Sequence, residues 1–539
     1  MGSHRARLAP WVAARTGLAL TVLAAAAAGA GCSSNPAPGR PAGGTVQLQL
    51  LAVNDLHGNL EPPGGARAGR PPVGGMAFLA THIARLEAAQ PHTLIVSAGD
   101  NIGATPLVSA LFHDEPTVEA LNAIGLDYSA VGNHELDEGW SELLRMQRGG
   151  CHPRDGCQDG TPFRGAAFQF LAANVQVDPA RADPAALAES GWRARGVGPE
   201  PLFPPFAVHD VDGVKVGFVG ITLRGAASLV NATAVRGLTF GAEADAANAA
   251  ARELTRQGVR TIVVLMHEGA DVPQGAAEPC AALTGPAVEI ASALSRDIDV
   301  VVSGHTHQEY VCTVGSALVT SAGSFGRALT AIDLTIDRRT RDVVAKSARN
   351  IVVTGDVPPD AAQASLIERY AALARKDALR PVGAIAGPLS RSANEAGESP
   401  LGRLVADAML EAARAEATGG ADVAFCNPGG IRTDLARTEG GAGVVTFGEL
   451  FAVLPYGNQL LVKTLTGDAI LRLLEEQFDN PQPGRRTVLQ ASGTLRYAYR
   501  LSAPRGQRVV RSSVTIEGRA IDPAARYRVV MPDFLWNGG

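Results

Sequence analysis

The chain has no excess of basic residues: 48 Lys and Arg stand against 53 Asp and Glu, a formal net charge of -5. Proteins that hold nucleic acid polymers neutralise phosphates with Lys and Arg, so such polymers are not expected partners. Long apolar runs are missing as well. The most apolar stretch, Leu18 to Ala28, is shorter than the roughly 20 residues a helix needs to cross a bilayer. No internal repeat with a period of roughly 20 to 50 residues is visible, which removes solenoids and propellers. A disordered or collagen-like composition is absent too, because 46% hydrophobic and 19% charged residues with 61 Gly and 34 Pro is an ordinary globular balance. At 539 residues, about two to four domains are expected, each able to bury its own core.

Residues 1–32 read as an export signal, with Arg5, Arg7 and Arg15 as the positive end and the apolar stretch running up to Gly29-Ala30-Gly31-Cys32. Cys32 follows small residues and precedes a Ser/Pro/Gly tether, residues 33–45, in the manner of a bacterial lipoprotein processing site; plain cleavage into the periplasm is the alternative. Six cysteines are present, of which Cys32 would carry the lipid. Cys151 and Cys157 flank a short polar loop, Cys280 and Cys312 form a second candidate pair, and Cys426 is left single. The bland alternative is that all are reduced and buried.

From Thr45 onward, short apolar runs alternate with helical patterns, the signature of an α/β sheet with mostly parallel strands buried on both faces. The runs are Val46 to Val53, Thr93 to Ser97, Tyr128 to Val131, Val214 to Ile221, Thr261 to Met266 and Asp299 to Ser303. Between the first two, Met76, Leu79, Ile83 and Leu86 recur at helical spacing, and Pro91 stops that helix. The segment 351–380 reads as a linker containing one solvent-exposed helix, Asp360 to Leu379, which separates a first domain at 46–350 from a second at 381–539.

Five of the strands run directly into short polar clusters: Asn54-Asp55-Leu56-His57-Gly58, Gly99-Asp100-Asn101, Gly132-Asn133-His134-Glu135, Met266-His267-Glu268 and Gly304-His305-Thr306-His307. In an open parallel sheet the carboxyl ends of the strands share one edge, so these segments are expected to converge. Five of the eleven histidines fall inside them. Carboxylate oxygen, imidazole nitrogen and one amide oxygen make a mixed donor set suited to Mn, Zn, Fe or Co. Taken singly, a polar residue at a strand end is more often a cap than a ligand; five in this order make the bland reading a poor one.

These clusters resemble those of the calcineurin-like metallophosphoesterases, and with the second domain the chain resembles the 5′-nucleotidase family, which includes the UDP-sugar hydrolases. The resemblance implies a four-layer metallophosphoesterase α/β sandwich and a second α/β substrate-binding domain. It implies two divalent metal ions, one held by Asp55, His57, Asp100 and His307 and the other by Asp100, Asn133, His267 and His305. His134, oriented by Asp137, would act at the phosphoryl group. In the second domain, Asn427-Pro428-Gly429-Gly430-Ile431-Arg432 is similar to the family's substrate loop, in which Asn427 would meet the base and Arg432 the phosphate, with Gly430 allowing close backbone approach. Tyr456, where Phe is more usual, and Phe534 match the two aromatic faces for a nucleobase. Arg391 matches the first of two phosphate-binding arginines, and the second has no evident counterpart. The family continues past Asn-Gly-Gly into an acidic residue and a closing helix, so a sequence ending at Gly539 implies a truncated second domain.

The function implied is an exported phosphohydrolase acting by metal-activated water attack on 5′-nucleotides, and on the same resemblance UDP-sugars, in the periplasm or on the outer membrane. A 2′,3′-cyclic-nucleotide phosphodiesterase with 3′-nucleotidase activity shares the metal clusters. A non-catalytic nucleotide-binding lipoprotein is the alternative of another class.

Overall fold

The computed structural model describes residues 44–63, 71–192, 198–273, 275–276, 278–435, 443–479 and 487–536. The export signal, Cys32 and most of the tether lie outside the described residues.

Two six-stranded sheets dominate the first part of the chain. In the first, Thr45–Val53, Thr93–Ser97, Leu126–Ala130 and Gln169–Leu171 run parallel. Ala328–Asp337 and Val343–Val352 then close the other side of Thr45–Val53 as antiparallel strands. In the second sheet, Val214–Thr222, Thr261–His267, Val300–Ser303 and Ala317–Ala322 are parallel, with antiparallel edges at Phe206–Val211 and Glu309–Val314. The sheets are thus mixed, and the antiparallel strands are additions to the parallel centres expected from sequence.

Facing side chains cement the two sheets: Leu48, Leu50 and Val96 from the first meet Val216, Phe218, Val263 and Val302 from the second in one buried cluster. Alternate residues of the same strands, such as Leu51, Val53 and Ile95, point the other way and pack beneath the helices Met76–Glu87, Glu115–Ala123 and Trp140–Arg148. Glu243–Arg256 and Pro286–Ser292 cover the far face of the second sheet. Helix, sheet, sheet and helix form the four layers. Burial on both faces is why the central strands read as continuous apolar runs.

The helix Ala361–Ala378 starts where the Asp360 carboxylate accepts the Gln363 N–H. Most of its surface is exposed, as its composition suggested, but one face is not. Gln363, Tyr370 and Ala374 share one face and are buried against the first part of the chain, where the Gln363 amide donates to the Ala120 carbonyl at 2.8 Å. Beyond it, Val423–Cys426 pairs in parallel with Arg526–Pro532, and antiparallel Leu460–Thr466 and Gln490–Ala491 complete a four-stranded sheet. The helices Pro400–Ala413 and Gly467–Glu476 pack on that sheet. Cys151–Cys157 and Cys280–Cys312 are disulfides, and Cys426 is free and buried. Among the described residues no helix is long and apolar enough to cross a membrane.

Candidate metal centre

The strand ends deliver their polar residues to one rim. Asp55 and His57 follow Thr45–Val53, Asp100 follows Thr93–Ser97, and Asn133 and His134 follow Leu126–Ala130. His267 ends its strand, and His305 and His307 follow Val300–Ser303. Five of these residues, Asp55, His57, Asp100, His305 and His307, have left-handed backbone, with φ of 50°, 46°, 53°, 69° and 56°. This conformation turns the chain sharply off the strand, and Asp and His tolerate it better than bulkier residues do.

The side chains then meet. His267 Nε2 lies 3.0 Å from Asp100 Oδ2, and His57 Nε2 lies 3.8 Å from the same oxygen. His57 and His307 bring their Nε2 atoms to 3.3 Å, and His307 Nε2 is 3.5 Å from Asp55 Oδ1. Ligand atoms of Asp55, His57 and His307 form one group within 4.8 Å of one another, and those of Asp100, His267 and His305 form another.

Three observations show that these residues fit metal ions. His57 Nδ1 donates to the Gly103 carbonyl at 2.9 Å and His267 Nδ1 to the Ala98 carbonyl at 2.8 Å, so each ring turns Nε2 inward. Asn133 Oδ1 is buried with no hydrogen-bond partner, and His267 Nε2, although 3.0 Å from Asp100 Oδ2, is not aligned to hydrogen-bond with it. Such orphans are rare in protein interiors, and a cation would satisfy both. Charge agrees: burial and the Arg432 guanidinium hold His57 well below its ordinary range, so it stays neutral. Burial opposes protonation of His267, yet Asp100, Asp55 and Glu135 pull it up to about 10, a measure of the negative field a cation would meet.

His134 is built differently. Its Nδ1 donates to Asp137 Oδ2 at 2.8 Å, and its backbone N–H donates to Asp100 Oδ1 at 2.8 Å. Burial works against its protonation, but Asp137 and Asp100 outweigh burial and raise its pKa. Gly103 sits between His57 and this dyad with φ of 78°, and a Cβ there would strike the His134 carbonyl.

From the second part of the chain, Arg432 Nη2 donates to His57 Nε2 at 3.2 Å, and the Tyr456 ring lies over the His134 ring at 6.2 Å with 25° between planes. None of Arg391, Asn427, Gly430 and Phe534 hydrogen-bonds to the His/Asp cluster. The Arg391 guanidinium instead donates to the Ile431 carbonyl at 3.1 Å, bracing the loop that carries Arg432.

Sequence reasoning gave no role to Glu135, Asn54 or Asp533. The buried Glu135 carboxylate accepts the N–H groups of Asp100 at 2.8 Å, Asn101 at 2.7 Å and Gly132 at 2.6 Å, tying two strand ends together. Asn54 Nδ2 donates to Asp55 Oδ2 at 2.6 Å. Asp533 accepts from Asn231 Nδ2 at 2.9 Å, joining the second part of the chain to the first. Glu135 and Asn54 were readable as neighbours of the ligands, whereas nothing local marks Asp533. Replacing Glu135 by Gln would turn an amide NH2 toward backbone donors. The expected cost is about 1 to 3 kcal/mol, read from the denaturant midpoint.

Residues 48–309 match the family model for calcineurin-like phosphoesterases and residues 381–539 that for the 5′-nucleotidase C-terminal domain. The chain belongs to the 5′-nucleotidase family. Within this family of phosphoester hydrolases, it is similar to endonuclease YhcR of Bacillus subtilis, at 31% identity over 91% of this chain and 37% of the relative. The cell wall protein Lmo0130 of Listeria monocytogenes is 31% identical over 92% of this chain and 64% of its own. The chain therefore spans between about a third and two thirds of the length of these curated relatives. Among solved structures, a 5′-nucleotidase precursor from Thermus thermophilus superposes with a TM-score of 0.72 at 27% identity, over 92% of this chain and 90% of that one.

Proposed function

We propose that the chain removes phosphate from nucleotides, with UDP-sugars as further substrates, at a pair of divalent cations on this rim. Asp55, His57, Asp100 and His307 would hold one ion, and Asp100, Asn133, His267 and His305 the other, with Asp100 shared. The observation that carries the reading is the approach of Arg432 to His57 Nε2, because it sets a guanidinium from the second domain at the edge of the cluster, where a phosphoryl group would lie. Bound cations supply the positive charge and the activated water that phosphate ester hydrolysis requires. His134, with Nδ1 committed to Asp137, keeps Nε2 for the leaving oxygen and can give it a proton. Tyr456, Phe534, Asn427, Gly430 and Arg391 are assigned to the nucleotide and its loop on family resemblance. The domains assigned are 46–350, the linker 351–380 and 381–539.

We place the protein outside the cytoplasm. The pattern at residues 1–32 and the two disulfides support export, since such bonds persist in oxidising compartments.

A panel of 5′-AMP, UDP-glucose, 3′-AMP and cyclic 2′,3′-AMP, run with Mn, Zn or Co, tests the activity. Turnover of 5′-AMP is expected. A preference for the cyclic substrate would replace the reading with the phosphodiesterase, and tight binding without turnover under every metal would leave a binding protein. Arg432→Ala should lower kcat/KM on 5′-AMP by about 10- to 100-fold, the worth of a charge-assisted hydrogen bond.

A further inference from the structure

A second group of metal-ligating side chains lies outside this centre. One ligand atom from each of His113, Glu138, Glu142 and His152 lies within 4.8 Å of the others. His113 Nδ1 is 2.6 Å from Glu138 Oε2, and His113 Nε2 is 2.9 Å from Asp155 Oδ2. The His152 ring stacks on that of His113 at 3.7 Å with 16° between planes. His152 and Asp155 sit in the short loop closed by the Cys151–Cys157 disulfide, which fixes them relative to each other.

The charge of this cluster is unbalanced. Arg145 is the cation beside it, and it is already shared between Glu142 and Glu115, each at 2.6 Å. Glu138 and Asp155 are left facing His113. Two imidazoles and carboxylates together form the borderline donor set that zinc prefers.

We propose that His113, Glu138, Glu142 and His152 form a third metal site, of the zinc type, which braces the catalytic rim from behind. Two stacked rings cannot both point a lone pair at one ion, so binding requires one to turn. His113, 16% exposed against 5% for His152, is the ring with room. The connection to the rim is short. Asp114, next to His113, accepts the Gly103 N–H at 2.9 Å, and Gly103 in turn accepts from His57. Glu138 directly follows Asp137, which holds His134.

Metal counting by mass spectrometry on zinc-equilibrated, dialysed protein tests the site. The wild-type protein should carry one equivalent more than His152→Ala. In an Asp100→Ala background, which removes the shared ligand of the main centre, one equivalent should remain and should disappear on adding His113→Ala. With cobalt, that remaining equivalent should give visible d–d absorption. Should His113→Ala fail to fold, Glu138→Gln, 46% exposed, serves as the second variant. Equal metal content with and without these substitutions, in protein of native circular dichroism, would reduce the cluster to an ion pair network and overturn the proposal. The count in the Asp100→Ala background does not depend on nucleotide hydrolysis, so failure of the proposed activity would be distinguishable.

Discussion

Asp100→Ala should abolish hydrolysis of 5′-AMP, lowering kcat/KM by at least about 1,000-fold, and should release the ions of the main centre. The size of the effect follows from what one carboxylate does. Its Oδ2 faces His267 at 3.0 Å and His57 at 3.8 Å, so it belongs to both halves of the cluster, and its Oδ1 accepts the backbone N–H of His134. Its charge also counts: the buried histidines around it overcome burial and hold its carboxyl well below the usual carboxylate range, so the group stays ionised. Isothermal titration with manganese and steady-state kinetics on the same preparation measure both losses. Retention of both ions and near-normal turnover would show that the chemistry lies elsewhere.

The second large effect is expected at the dyad. His134→Ala should lower kcat by about 100- to 10,000-fold, the range for removing a positioned proton donor, while leaving both ions bound. Asp137→Asn should give a smaller loss in kcat with KM little changed, because the ring remains but loses the charge at 2.8 Å that fixes its orientation and favours its protonated form. A substrate with a good leaving group, such as p-nitrophenyl phosphate, separates the roles. If His134 protonates the leaving oxygen, the His134→Ala defect should shrink on that substrate. An undiminished defect would reassign the ring to stabilising charge on the phosphoryl group.

Much of the rim was legible in the sequence, for a physical reason. Strands such as Thr261–His267 are buried on both faces, so they read as unbroken apolar runs, and the first polar residue after each run marks where it leaves the core. That made Asp55, Asp100 and His267 visible at positions far apart in the chain. Val343–Val352 gave no such signal. It carries Lys346, Arg349 and Asn350 and alternates between exposed and half-buried positions, as an edge strand does, so the antiparallel pairing with Ala328–Asp337 stayed hidden. The helix Ala361–Ala378 hides less: its charged residues mark the exposed side and mask only a narrow buried face of three side chains. His113 and His152, separated by two helices and a strand, looked like isolated polar residues, and only the fold stacks them.

The left-handed turns at Asp55, His57, Asp100, His305 and His307 bear on how the protein can be made hardier. Glycine would sit in each more comfortably, relaxing on the order of 1 kcal/mol apiece, so a search that rewards heat resistance alone is drawn toward replacing the very side chains proposed to hold the metal ions. Durable variants that still turn over substrate must therefore come from changes elsewhere in the chain, and any selection has to score turnover together with survival.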